Sequence, residues 1–139
     1  MSRVAPSLTV AALLLATTAA GAGAQMMPQP QTENGVTFIS GGIAEDQQQD
    51  IQSQRGQYNL HLLFAQQGTG AYFSGVGVQV TDASGRTVLD TVSNGPFLYA
   101  RLAPGRYTVT ATHNGDPQTK TAYVPAAGGV DLNYYWAGS

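Results

Sequence analysis

Residues able to do chemistry are few in this chain, and they are scattered. Two histidines, His61 and His113, stand far apart, and neither has the His-x-His or His-Glu-x-x-His spacing that gathers imidazoles onto one ion. Both are expected at the surface, His61 on the strand face opposite Leu60 and Leu62, His113 beside a hairpin tip. Glu45, Asp46 and Asp50 place carboxylates at turn spacing, the pattern of a divalent-cation site or a carboxylate pair. No loop surrounds them to supply the further oxygens that Ca²⁺ takes, and Gln47-Gln48-Gln49 between them suits a solvated helix face. Met26-Met27 offers soft thioethers without a His or Cys partner, a weak ligand set. The chain contains no Gly-x-Ser-x-Gly elbow, phosphate loop or dinucleotide fingerprint. It has no cysteine, which excludes disulfides, thiolate metal sites and a cysteine nucleophile. No catalytic, metal or cofactor-binding residue and no cofactor are therefore expected.

Aromatic side chains offer a second kind of chemistry. Tyr135 lies opposite the Tyr134/Trp136 face of the last strand, and Tyr72, Phe73 and Tyr123 are expected to be partly exposed. Exposed Tyr and Trp on a β-domain stack on sugars or anchor a protein interface. Core and strand packing accounts for most of the others.

The elements that must position these groups follow from the chain in order. Arg3, an apolar run from Val10 to Ala20 and Ala22-Gly23-Ala24 form a secretory signal pattern, with cleavage expected after Ala24. Residues 1–24 are thus read as signal peptide and 25–34 as a flexible leader of linker composition. The exported product is expected in the periplasm or outside the cell, with no membrane span after cleavage. Without a cysteine it cannot be a lipoprotein. Six basic residues face eight acidic ones, a net charge of −2, which argues against nucleic acid as partner.

Residues 35–56 read as a short strand, Val36 to Ser40, and a helix from Ile43 to Arg55. Glu45 and Asp46 open that helix and Arg55 closes it, which suits its macrodipole, and Gly56 stops it. Its apolar face is thin, so it must lie on a sheet or at a sheet edge.

Residues 57–139 read as one β-domain of seven strands. Tyr58, Leu60, Leu62 and Phe64 alternate onto one face, as do Val76, Val78 and Val80. Asp82 to Gly85 turns the chain into a strand from Arg86 to Val92, and Phe97 to Leu102 follows with its facing ambiguous. Pro104-Gly105 then leads into Tyr107, Val109 and Ala111, where Tyr107 is placed to return its hydroxyl to upstream backbone. Asn114-Gly115 is a hairpin signal, Gln118 to Val124 is the return strand, and Val130, Leu132, Tyr134 and Trp136 alternate at the end.

The run Gly75-Val76 to Val80, Asp82 to Gly85, Gly95-x-Phe97 and Leu102-x-Pro104-Gly105-x-Tyr107-x-Val109 resembles the carboxypeptidase regulatory-like domain family. The resemblance implies an all-β, seven-stranded, transthyretin-like (prealbumin-like) Greek-key β-sandwich, here with one short N-terminal strand and a surface helix. With Ser40-Gly41-Gly42 and the aromatic last strand, the chain is similar to small proteobacterial envelope proteins that carry one such domain. Carboxypeptidases of the related family keep their zinc in a separate catalytic domain, for which this chain has neither room nor motif.

The function expected first is a non-catalytic binding or structural module of the cell envelope, with envelope-protein or peptidoglycan-associated partners. A carbohydrate- or peptide-binding domain is the alternative, and a small hydrolase on a transthyretin-like fold the second alternative. A flat aromatic patch would favour the binding domain. A cleft gathering His, Arg and carboxylate would favour the hydrolase. The distinctive parts of the chain are the Ile43–Arg55 helix and the aromatic last strand.

Overall fold

The computed structural model describes residues 27–137; the expected signal peptide and Met26 lie outside them. Among the described residues nine strands form two packed sheets, accompanied by one short α-helix. In chain order they are β1 (Gln31–Glu33), β2 (Val36–Gly41), α1 (Glu45–Ser53), β3 (Leu60–Gln66), β4 (Gly77–Asp82), β5 (Thr87–Val92), β6 (Phe97–Arg101), β7 (Gly105–His113), β8 (Asp116–Val124) and β9 (Val130–Trp136), with a 3₁₀ turn at Arg55–Gln57 after α1. One sheet runs β1-β2-β6-β3-β9 and the other β5-β4-β7-β8. All pairs are antiparallel except β3 with β9.

Alternation builds the core. Leu60, Leu62 and Phe64 of β3, Leu98 and Ala100 of β6, and Tyr134 and Trp136 of β9 face Val78 and Val80 of β4 and Val109 and Ala111 of β7. Tyr134, fully buried, donates its hydroxyl to Val109 O at 2.8 Å, while Trp136 Nε1 donates to Asp116 O at 2.9 Å. Each large ring thus buries its body and satisfies its polar tip. Tyr107 Oη donates to Ala103 O at 2.7 Å, the corner bond expected from the sequence. Asp82 Oδ1 accepts from Ser84 N and Arg86 N, both at 3.0 Å, and so shapes the β4–β5 turn.

The facing of β6 is settled in favour of Leu98, Ala100 and Leu102 as core residues. Phe97 and Tyr99 point to the opposite face, yet they are buried as well, because α1 lies across that face. Ile51, the only buried residue of α1, packs there with Ile39, Tyr58, Phe97 and Tyr99. Tyr58 therefore belongs to this second cluster, and its expected place beside Leu60 is corrected. It precedes β3 at the end of the 3₁₀ turn, where the strand alternation has not begun.

β1 falls inside the stretch expected as leader. Asn34 (φ 52°) and Gly35 (φ 79°) make the two-residue turn that folds it onto β2, a turn that requires positive φ at both positions. The helix is shorter than the expected Ile43–Arg55 span, since Ile43 and Ala44 precede it and Arg55 lies in the 3₁₀ turn.

Candidate functional site

A row of side chains crosses the outer face of the five-stranded sheet. Ile39 is in register with Tyr99, Tyr99 with His61, and His61 with Asp131. Four strands therefore deliver an aliphatic, a phenol, an imidazole and a carboxylate side by side. Arg55, carried over the sheet by the 3₁₀ turn, completes the row.

Asp131 ties Arg55 to His61. Its Oδ1 lies 2.8 Å from His61 Nδ1, and its Oδ2 accepts from Arg55 Nη2. Burial alone would raise this carboxyl, but the hydrogen bonds and charges of Arg55 and His61 outweigh it and hold the group below its ordinary value. The same bond to Asp131 raises the Arg55 guanidinium. Tyr99 is pushed up by burial, against the opposing pull of Arg55.

His61 is buried, which corrects its expected place at the surface. The helix and 3₁₀ turn cover a face that sequence alternation alone would leave to solvent. Its Nε2 lies 3.0 Å from both Arg55 O and Tyr58 O, so this nitrogen carries a hydrogen. The ring meets the edge of Tyr99 at a centroid distance of 4.8 Å and an angle of 83°. Gly129 closes the other side, where a Cβ would come 2.8 Å from His61 Cε1 and 3.3 Å from Asn59 O. Only glycine lets the chain pass so close.

A general base or a metal ligand needs a lone pair directed at the incoming proton or ion. Both ring nitrogens of His61 are instead occupied by oxygens of the protein. The cluster opens onto a depression of 350 Å³ lined by Arg55, Gly56, His61, Gly128 and Gly129, with no serine or threonine hydroxyl among its lining residues. The arrangement is thus a latch that ties the 3₁₀ turn, β3 and β9 together.

His113 is elsewhere, stacked on Phe73 at 3.9 Å and near Trp136. Asp46 and Asp50 accept from neighbours on their own helix, Gln47 N and Gln54 Nε2. Among the described residues no group of three or more His, Cys, Asp or Glu side chains is placed to hold a metal ion.

Beyond the latch the same face turns aromatic. Tyr72 and Tyr135 flank Ala65 in one row, 48% and 45% exposed, while Ala65 beneath them is buried. Tyr72 rests against Phe97 at 5.5 Å, and Leu63 and Asn133 occupy the adjoining row. The result is a pair of exposed tyrosines on this face, with no charged residue in these two rows. Tyr123, 68% exposed, is separate from it on β8. Alternation sets Tyr135 opposite Tyr134 and Trp136, but the meeting of Tyr72 with Tyr135 and the polar row depend on strand order.

No family model matches this chain, and no curated protein matches it.

Proposed function

We propose that this protein is a non-catalytic binding module of the bacterial cell envelope, exported by its N-terminal signal and released to the periplasm or beyond. In this reading the fold is a transthyretin-like Greek-key sandwich of the carboxypeptidase regulatory-like family. Support comes from the seven strands β3–β9, the Tyr107 corner bond and the quoted motif residues.

The observation that carries the binding function is the Tyr72/Tyr135 patch. Two half-exposed rings above a buried alanine form a platform on which a sugar ring or an apolar peptide side chain stacks, and Asn133 beside them supplies amide hydrogen bonds. This favours carbohydrate or peptide recognition over a purely structural role. A hydrolase is the weaker reading. Its expected grouping of His, Arg and carboxylate exists, but the imidazole is tied up by the protein at both nitrogens.

Co-sedimentation of the mature protein with purified peptidoglycan tests the reading. Replacing both rings, Tyr72→Ala with Tyr135→Ala, is expected to weaken binding at least about tenfold, roughly 1.4 kcal/mol. Equal binding by the double variant and the wild type would remove the patch from the function. Recovery of the exported product with its mass beginning at Gln25 checks the export step.

A further inference from the structure

β2 ends in Ser40-Gly41, and Gly42 carries the chain on toward α1. Three backbone segments meet at this point too closely for side chains. A Cβ on Gly41 would come 2.8 Å from Pro28 Cγ, and one on Gly95 would run into the Gly41 backbone. These glycines let the segment before β1 and the β5–β6 loop close on the end of β2. Where the three meet they leave an open depression of 360 Å³, within the roughly 300–1,000 Å³ of small-molecule sites.

Ser40 lines this depression and is 5% exposed. Its Oγ accepts from Asn94 N at 3.0 Å, which fixes the hydroxyl against the β5–β6 loop. A serine hydroxyl also has a hydrogen to donate. Among the described residues that hydrogen has no acceptor. A buried donor without a partner costs free energy, so the group is kept at a cost that an incoming oxygen would relieve.

The walls say what kind of molecule carries that oxygen. Gln31, Gln47 and Asn94 contribute amides, and among the described residues no charged side chain lines the depression. Gln47 Oε1 accepts from Ile43 N at 3.2 Å, which holds that amide in place at the start of α1. Each amide offers donors and an acceptor together, matching hydroxyl groups that are themselves both. Pro28 and the exposed Ile43 add apolar surface for the C–H face of a ring. An ionic ligand would find no counter-charge here.

We propose that this depression is a binding site for an uncharged sugar, with the Ser40 hydroxyl donating to a ligand oxygen and the amides of Gln31, Gln47 and Asn94 reading its hydroxyls. The site is built from β2, α1 and the β5–β6 loop and does not depend on the Tyr72/Tyr135 platform.

Titration with the uncharged disaccharide N,N′-diacetylchitobiose, followed by amide resonances of the wild-type domain, tests it. Saturable shifts are expected at Gly41 and Asn94, with a dissociation constant in the millimolar range. Ser40→Ala should weaken binding at least about fivefold. Because that variant also strips Asn94 N of its acceptor, the exposed-site variant Asn94→Ala, which keeps the backbone bond to Ser40, is measured beside it and should weaken binding by a similar factor with an unchanged unfolding midpoint. The double variant Tyr72→Ala with Tyr135→Ala should keep the shifts at Gly41, whatever it does to sedimentation with peptidoglycan, so the two sites fail or stand separately. No saturable shift up to about 20 mM disaccharide overturns the proposal. So do shifts confined to Tyr72 and Tyr135, binding indifferent to both Ser40→Ala and Asn94→Ala, or tighter binding at Gly41 by the blocked peptide N-acetyl-trialanine amide than by the sugar.

Discussion

The two sheets share one core but treat their outer faces in opposite ways. On the four-stranded sheet the row Asp90, Gln79, Thr110, Thr119 meets solvent with short polar side chains, and Thr110 and Thr119 pair hydroxyls at 3.0 Å. On the five-stranded sheet Ile39, Tyr99 and His61 are buried beneath α1 and the 3₁₀ turn, and half-exposed Asp131 ends their row. The first face needs only residues that tolerate water. The second must satisfy every buried polar atom with a named partner, because an unpaired one costs roughly 1–3 kcal/mol. A covered face thus acquires specificity that a solvated face never requires.

The most damaging way to disturb this contrast is to lift the cover. Ile51 is fully buried and is the only anchor of α1 in the second cluster. Ile51→Ala is expected to cost about 2–4 kcal/mol in urea unfolding, transfer and cavity terms together. Amide exchange should rise across Glu45–Ser53 while β4 and β7 keep their protection. A loss spread evenly over both sheets would show that the covered face is no separate unit.

Much of the fold was legible in the sequence for a local reason. Alternation in β3, β4, β7 and β9 assigns core faces strand by strand, and Asp82, Asn114-Gly115 and Tyr107 each act through neighbours a few residues away. The covered face was not legible. His61 and Asp131 meet because β3 and β9 pair in parallel, and residue spacing carries no trace of that pairing. The thin apolar face of α1 likewise does not say which sheet it covers, so alternation alone leaves His61 to solvent and the facing of Phe97 and Tyr99 open. β1 leaves no mark in the sequence because three residues are too few for a periodic pattern.

A smaller perturbation enters from the side of the latch. Gly129→Ala brings a Cβ to within 2.8 Å of His61 Cε1 and 3.3 Å of backbone at Asn59, so the imidazole must tilt out of its contacts. The expected cost is about 1–3 kcal/mol, as for overpacking elsewhere. The imidazole proton resonances of His61 should shift while those of His113, on the other side of the core, stay fixed.

Acid should loosen the same latch more gently. The folded Asp131 carboxyl lies below its unfolded value, so its contribution is present above the unfolded pKa of about 4 and is lost as pH falls through the folded one. Asp131→Asn should therefore be less stable than wild type at neutral pH and should converge with it on acidification. Half exposure of the carboxyl limits the neutral-pH gap to about 1 kcal/mol. Asp82, also lowered through its hydrogen bonds to Ser84 and Arg86, titrates in both proteins and cancels from the difference. A gap that persists unchanged to acid would mean that the Asp131 charge does not hold the latch.

The opposite face gives the smallest effect and the sharpest control. Thr110→Val keeps the β-branched shape, removes one hydroxyl of the Thr110–Thr119 pair and leaves its partner free to bond water. Its stability should stay within about 0.5 kcal/mol of wild type. Stability alone cannot separate a solvated row from a well-repacked one, so the paired variant Thr110→Val with Thr119→Val is the decisive measurement. Near-additive, near-zero effects fit a face organised only by strand propensity and water. A coupling energy above about 1 kcal/mol would show that the hydroxyl row holds the four-stranded sheet together as the imidazole row holds its counterpart. The two faces would then differ in what covers them and no longer in how they are built.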